Sequence, residues 1–261
     1  MPATRPVAIL ARAPSDAGLF GAARTRGRTS TIAPRVRLPD GTLRYQVLAG
    51  SSAFGLAGPD SDEDWRGVFQ LPSEAFLGLG RPEMTIELPP DQAYWELAHF
   101  ARLCLAGNPN IMELLWVDPG LIAVTSPLAV ALRAMRGSFV SDAMVSSYLG
   151  WARSERIRLA RGPDPAAWRP EIAAKRGSHL VRLLLGLRGV LATGELVVTL
   201  RGADRDLVAS IKAGLLAPTA VVERIDRLDT ECRELAARRH LGPVDPRPLG
   251  ALVLRARRGT L

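Results

Sequence analysis

Apolar and polar positions first fall into a readable pattern at Leu43–Ala49, a short stretch built on the apolar run from Tyr45, and this predicts a strand. A Gly- and Pro-containing segment, Ser51–Gly58, follows as a helical turn and loop. Asp62–Leu71 reads as a second strand, and Pro72–Gly80 as a loop or short helix anchored by Phe76 and Leu77. Glu83–Leu88 alternates charged and apolar residues and is broken by Pro89-Pro90. Asp91–Leu97 is extended and runs into a helix through Leu105, which Gly107-Asn108-Pro109 stops. Asn110–Val117 is a further helix, in which Asn110 serves as the cap and Glu113 takes the capping-box position. Beyond Pro127 the period is helical throughout: Leu128–Met135, Phe139–Leu159, Glu171–Thr193, Ala203–Leu215 and Pro218–Arg239. In the last of these, Val222, Ile225, Leu228 and Cys232 recur at steps of three and four and mark one apolar face.

These elements predict an α+β chain in which a small mixed-sheet domain, 41–126, precedes a helical domain, 127–240. Residues 1–40 mix Arg, Pro, Gly, Ser and Thr with weak periodicity and are expected to be poorly ordered; 241–261 is expected as a basic tail. Gly162-Pro163-Asp164-Pro165 is the best internal linker. At 261 residues the chain suffices for one large or two small domains, and its 47% apolar content is that of a globular protein.

Charge changes this picture little. The formal net charge is +8, but residues 1–40 contribute +5 and residues 238–261 another +5, leaving −2 for the body between them. Of 34 basic residues only Lys175 and Lys212 are lysines, a skew that fits a GC-rich coding sequence as well as selection for nucleic acid. Arg-rich ends can hold phosphate backbones non-specifically. No run of 18 apolar residues exists, and the Val7–Leu10 apolar segment, ended by Arg12, is too short for a signal peptide. Cys104 and Cys232 stand far apart without a Cys-x-x-Cys and read as buried thiols in a reducing, cytoplasmic setting.

The candidate chemistry lies at 50–64. Gly50-Ser51 follows the first strand and offers backbone N–H groups to phosphate oxygens. Asp62 and Asp64 are two residues apart, so in an extended chain they share a face, where paired carboxylates need a cation or a shared proton. Carboxylates of this kind suit Mg²⁺ or Mn²⁺ that also grips substrate phosphates. A calcium loop is excluded: Asp60, Asp62 and Asp64 fit positions 1, 3 and 5, but Trp65 and Leu71 stand where Gly and Glu are required. Further on, Lys175, His179 and Arg182 fall at i, i+4 and i+7 and share one helix face, with Leu180, Leu183, Leu184 and Leu187 on the other. That spacing also occurs on ordinary solvated faces.

Gly50-Ser51, Gly55 and the run Ser61-Asp62-Glu63-Asp64-Trp65-Arg66-Gly67-Val68 resemble the signature of the DNA polymerase beta-like nucleotidyltransferase superfamily. Gly107-Asn108-Pro109-Asn110-Ile111-Met112-Glu113-Leu114-Leu115 and Lys175-Arg176-Gly177-Ser178-His179-Leu180-Val181-Arg182-Leu183-Leu184 resemble its branch associated with RNA-repair ligases. The resemblance spans about Leu43–Leu235. It implies transfer of a nucleoside monophosphate from an NTP to a hydroxyl by a two-metal mechanism. Asp62, Asp64 and a third carboxylate would be catalytic and metal-binding. Gly50, Ser51, Ser52, Ser61, Arg66, Lys175, His179 and Arg182 would bind the nucleotide. The residues leave Glu87, Asp91 and Glu96 open as the third carboxylate; the resemblance favours Glu96, although a helix N-terminal acid would account for it equally. The acceptor, an RNA end, a small molecule or a protein side chain, is not readable. A protein modifier of a toxin–antitoxin pair would share every site residue. A non-catalytic RNA-binding protein would have no reason to keep two repelling carboxylates.

Overall fold

Strand β1 (Thr42–Leu48) ends where Gly50 turns the chain, and the one-turn helix α1 (Gly50–Ala53) carries it across to β2 (Trp65–Gln70). The computed structural model describes Leu38 and residues 41–59, 61–161 and 170–261; the N-terminal extension and the 162–165 linker fall outside the described residues. β1 and β2 pair antiparallel with Leu48 opposite Trp65, so the ladder begins at Trp65 rather than at Asp62. Only one bond, Ala49 N–H to the Asp64 carbonyl at 2.7 Å, reaches further back, and Asp62 and Asp64 lie in the unpaired approach to the strand.

After a 3₁₀ turn at Ser73–Phe76, β3 (Thr85–Leu88) and β4 (Gln92–Glu96) complete the near side of the sheet. β4 pairs parallel to β2, from Trp65–Gln92 to Phe69–Glu96. A short β5 (Ile122–Val124), not evident in the sequence because three residues carry no period, closes the other edge. The order is β3-β4-β2-β1-β5, and all neighbours except β2 and β4 run antiparallel. Phe76 and Leu77 do not anchor the turn: Leu77 is 82% exposed, and Phe76 lies beneath the Arg257 guanidinium at 4.4 Å.

Among the described residues eight further helices follow, α2 (Leu97–Leu105), α3 (Pro109–Trp116), α4 (Pro127–Ala134), α5 (Asp142–Arg161), α6 (Pro170–Thr193), α7 (Gly202–Lys212), α8 (Pro218–Arg239) and α9 (Arg247–Arg257). Tyr45, Val47 and Val68 pack one face of the sheet into an apolar core shared with these helices; Phe69, Leu71, Ile86 and Tyr94 form a smaller cluster on the other face. Gly107 lets α2 end tightly against α5: its φ is +63°, and a Cβ there would stand 2.3 Å from the Met144 Cα. The cap of α3 is Asn108, whose side chain accepts from Asn110 and Ile111 N–H, and not Asn110 as expected.

The expected C-terminal tail is corrected by α9. Leu249, Leu252 and Ala256 of this helix are buried in the main core. Arg257 donates to the Leu71 carbonyl at 2.6 Å, and Gln70 Nε2 donates to the Ala256 carbonyl at 3.1 Å. The arginines of this segment had masked the three- and four-residue spacing of its apolar positions. The described residues belong to one compact unit.

Candidate active site

The site is assembled at the end of the sheet where β1 leaves and β2 and β4 begin. Gly50 is the residue that permits it. Its φ is +58°, and a Cβ would lie 2.9 Å from both the Cβ and Oδ2 of Asp64. Glycine therefore lets the Gly-Ser turn sit directly on a carboxylate. The turn is closed by Phe54 N–H to the Gly50 carbonyl (3.1 Å) and Leu56 N–H to the Ser51 carbonyl (2.9 Å). The helical part of the chain holds it from behind. Thr199 Oγ1 donates to the Ala53 carbonyl (2.9 Å), Leu200 N–H to that of Phe54 (3.1 Å) and Arg205 Nε to that of Gly55 (2.9 Å).

Asp62 is exposed and Asp64 half-buried. Asp64 Oδ1 lies 2.5 Å from Arg66 Nε, a close ion pair, yet no aligned hydrogen-bond donor satisfies this buried oxygen. Burial pushes the Asp64 carboxyl above the ordinary carboxylate range; Arg66 pulls it back, Asp91 adds to the rise and Lys175 lowers it. The contact between Asp64 and Arg66 was available from their two-residue spacing. Ser61 orders the loop before them, its Oγ accepting from Gly58 N–H at 2.8 Å. Ser51 and Ser52 remain half-buried at the turn.

Glu96 is not brought to this site. It lies opposite Phe69, at the far end of the parallel pair from Asp64, and is fully buried. One carboxylate oxygen accepts from Ala98 N–H at 2.7 Å to cap α2, and the other meets Arg257 Nη2 at 2.5 Å. The helix-capping reading is therefore the one the geometry bears, and the expected role as third carboxylate is corrected. Glu87 is exposed on the edge strand β3. Asp91 is the candidate whose charge acts on Asp64, and its carbonyl accepts Trp65 N–H at 2.9 Å. Among the described residues no three His, Cys, Asp or Glu converge closely enough to hold a metal ion unaided.

The basic stripe of α6 divides in two. Lys175 is exposed, and its charge reaches both Asp64 and His179. Arg182 is only 4% exposed, forms an ion pair with buried Glu113 of α3, approaches His179 Nδ1 at 3.0 Å and stacks 3.6 Å from the Phe54 ring centre. Glu113 thus serves this pair and not a capping box. His179 meets Trp151 edge-on at 4.8 Å; burial first, then Arg182 and Lys175, hold its pKa down at about 3, so it is neutral at physiological pH. Phe54 and Trp151 carried no sequence signal, because aromatic residues at such positions are usually core.

A Gly-Ser turn seated on the second carboxylate of an Asp-x-Asp at the mouth of a mixed sheet, with a lysine-bearing helix nearby, has the layout of a polymerase beta-like fold. Residues 30–228 match the RNA repair pathway DNA polymerase beta family, RlaP, and the chain belongs to that family. It is also similar to the uncharacterized protein YcgL of Bacillus subtilis (strain 168), at 26% identity over 158 residues, which is 58% of this chain and 57% of that protein. The chain thus spans little more than half the length of this relative. Among the described residues no helix is long and apolar enough to cross a membrane.

Proposed function

We propose that the protein transfers a nucleoside monophosphate from an NTP to a hydroxyl, with an RNA end as the acceptor, the bond between the acceptor oxygen and the α phosphorus forming as the bond to the β phosphate breaks and pyrophosphate leaves, and that the transfer depends on Mg²⁺ or Mn²⁺. The observation that carries this reading is the seating of the Gly50 turn on the Asp64 carboxylate, 2.9 Å from the site of a Cβ that glycine lacks. Phosphate donors and a metal-binding carboxylate are thereby held within one small end of the sheet. The donor set fits a hard divalent ion. Asp62 and Asp64 offer carboxylate oxygens, and Asp64 Oδ1 is buried without an aligned donor. Magnesium is usually held by one or two carboxylates plus substrate phosphates, so a site that is incomplete without the nucleotide is expected. When bound, the ion supplies charge neutralisation and makes the acceptor hydroxyl more acidic.

In this reading Asp62 and Asp64 hold the metal, and Asp91 takes the role of third carboxylate and proton acceptor. Gly50, Ser51 and Ser52 offer N–H and hydroxyl donors to the β and γ phosphates. Ser61 orders the loop that carries the aspartates. Lys175 neutralises triphosphate charge from the α6 side, and Arg66 exchanges its contact with Asp64 for one with phosphate. Phosphoryl-type transfer needs mainly positioning and charge compensation, which this set can supply. The test is incubation with each α-³²P-labelled NTP, Mg²⁺ and RNA, with and without EDTA. Metal-dependent label in RNA is the expected result. Label only in protein or small molecules refutes the RNA acceptor, and nucleotide binding that is unchanged in EDTA refutes the metal site.

A further inference from the structure

Arg182 sits in a segment whose basic spacing suggests a phosphate ligand, but its surroundings give it other work. Its Nη1 is committed to Glu113 and its Nη2 to His179 Nδ1, while the flat of the guanidinium covers the Phe54 ring. Of these partners Glu113 is buried and Phe54 and His179 are half-buried, whereas Lys175 is exposed. Swinging Arg182 outward to a nucleotide would leave Glu113, itself only 8% exposed, as a buried carboxylate without its counter-charge, which is strongly unfavourable. Phe54 closes the phosphate turn through its N–H to the Gly50 carbonyl, so a group that fixes Phe54 fixes the turn.

We propose that Arg182 is a positioning residue. Resting on the nucleotidyltransferase reading above, it pins α1 and the Gly50–Phe54 turn against α3 and α6 through the Glu113 pair and the Phe54 stack, and it does not touch the nucleotide. Only Lys175 of the α6 stripe then meets the triphosphate. Tyr148, fully buried beside this pair with its hydroxyl unpartnered, is a spare donor that lies within the electrostatic reach of Glu113.

The test uses the full chain and reads three quantities: the Kd of a fluorescent ATP analogue with Mn²⁺, the Kd of Mn²⁺ alone, and the melting temperature. Arg182→Met is expected to weaken nucleotide binding about tenfold or more and to lower the melting temperature, since it orphans Glu113. Adding Glu113→Leu removes the orphaned charge, while the thioether brought by Arg182→Met stays on Phe54 in both variants. This double variant is expected to recover the melting temperature and most of the nucleotide affinity, with Mn²⁺ binding unmoved throughout. Phe54→Leu, which leaves Arg182 in place, is expected to weaken nucleotide binding at least about fivefold without affecting Mn²⁺. A double variant that is stable yet as poor in nucleotide binding as Arg182→Met overturns the proposal in favour of direct phosphate contact. So does a Phe54→Leu variant with normal nucleotide affinity, which also decides the matter should the double variant not fold. A wild-type chain that binds no nucleotide with Mn²⁺ refutes the underlying functional reading, and the inference with it.

Discussion

Three aspartates at the mouth of the sheet and one glutamate at its other end differ in what surrounds them, and their variants should differ accordingly. Asp62→Asn or Asp64→Asn should lower transfer by more than about 100-fold, beyond the 10–100-fold typical of losing a supporting partner. Without metal the melting temperature should hold or rise for Asp64→Asn, which removes a buried charge and its repulsion with Asp91, and should hold for Asp62→Asn, whose side chain is exposed. Rate measurements paired with thermal melts check both halves. Glu96→Ala should do the reverse. Removing one partner of a buried ion pair costs about 3–5 kcal/mol, and the cap of α2 is lost with it, while Mn²⁺ affinity should stay at the wild-type value. Asp91→Asn should cut transfer with little loss of stability; if Glu96→Ala alone were to abolish metal binding, this assignment of roles would be wrong. The meeting of the Gly50 turn with the Asp-x-Asp was legible in the sequence because turn, spacer and aspartates form a local pattern. Which of Glu87, Asp91 and Glu96 stands beside Asp64 was not, since that depends on the register between β2 and β4, and register is a non-local property.

At the scale of elements, α6 joins an exposed lysine end to a buried interior, and its histidine titrates accordingly. With His179 held at about 3 in the folded chain against an ordinary 6.5, the unfolded chain binds the proton more readily. The associated stability is thus fully present above about pH 6.5 and is lost as the pH falls from there toward 3. Denaturant midpoints across that range should decline for the wild type and flatten for His179→Gln. The comparison must be made against the variant, because burial and Arg102 also depress His99 and give it the same sign. An unchanged pH profile in His179→Gln would show that this imidazole remains protonatable in the folded state. The helices of the second half were legible from their apolar period, since amphipathic segments of 11 to 24 residues carry several turns of signal. The partition of the α6 stripe was not, because i, i+4 and i+7 spacing fixes a shared face but cannot tell which part of it is covered. Arg182 became interior only through Glu113 and Phe54, 69 residues or more away along the chain.

Across the whole molecule, the described sheet and helices are tied together by contacts that join distant parts of the sequence. Removing residues 247–261 should leave a chain that fails to fold. It would expose the seats of Leu249 and Leu252, each worth about 1.5–3 kcal/mol when fully buried, and leave Glu96 without Arg257. Soluble expression and a cooperative melt of the truncated chain would contradict this. The composition gave no warning, since the segment's charge made it look like the solvated tail that so many arginine-rich ends are. Ala256 and Arg257 meet Gln70 and Leu71 across 186 residues of sequence, and Arg257 meets Glu96 across 161. During synthesis, then, the carboxylate-bearing half emerges long before the partners that complete it. A nascent chain has to keep a buried acid and an unfinished strand end in a collapsed, incompletely packed state until the late segment arrives. A partial translation product should therefore be recognised as unfolded, so that a cell never holds a half-made chain with the aspartate-bearing end of its sheet already assembled.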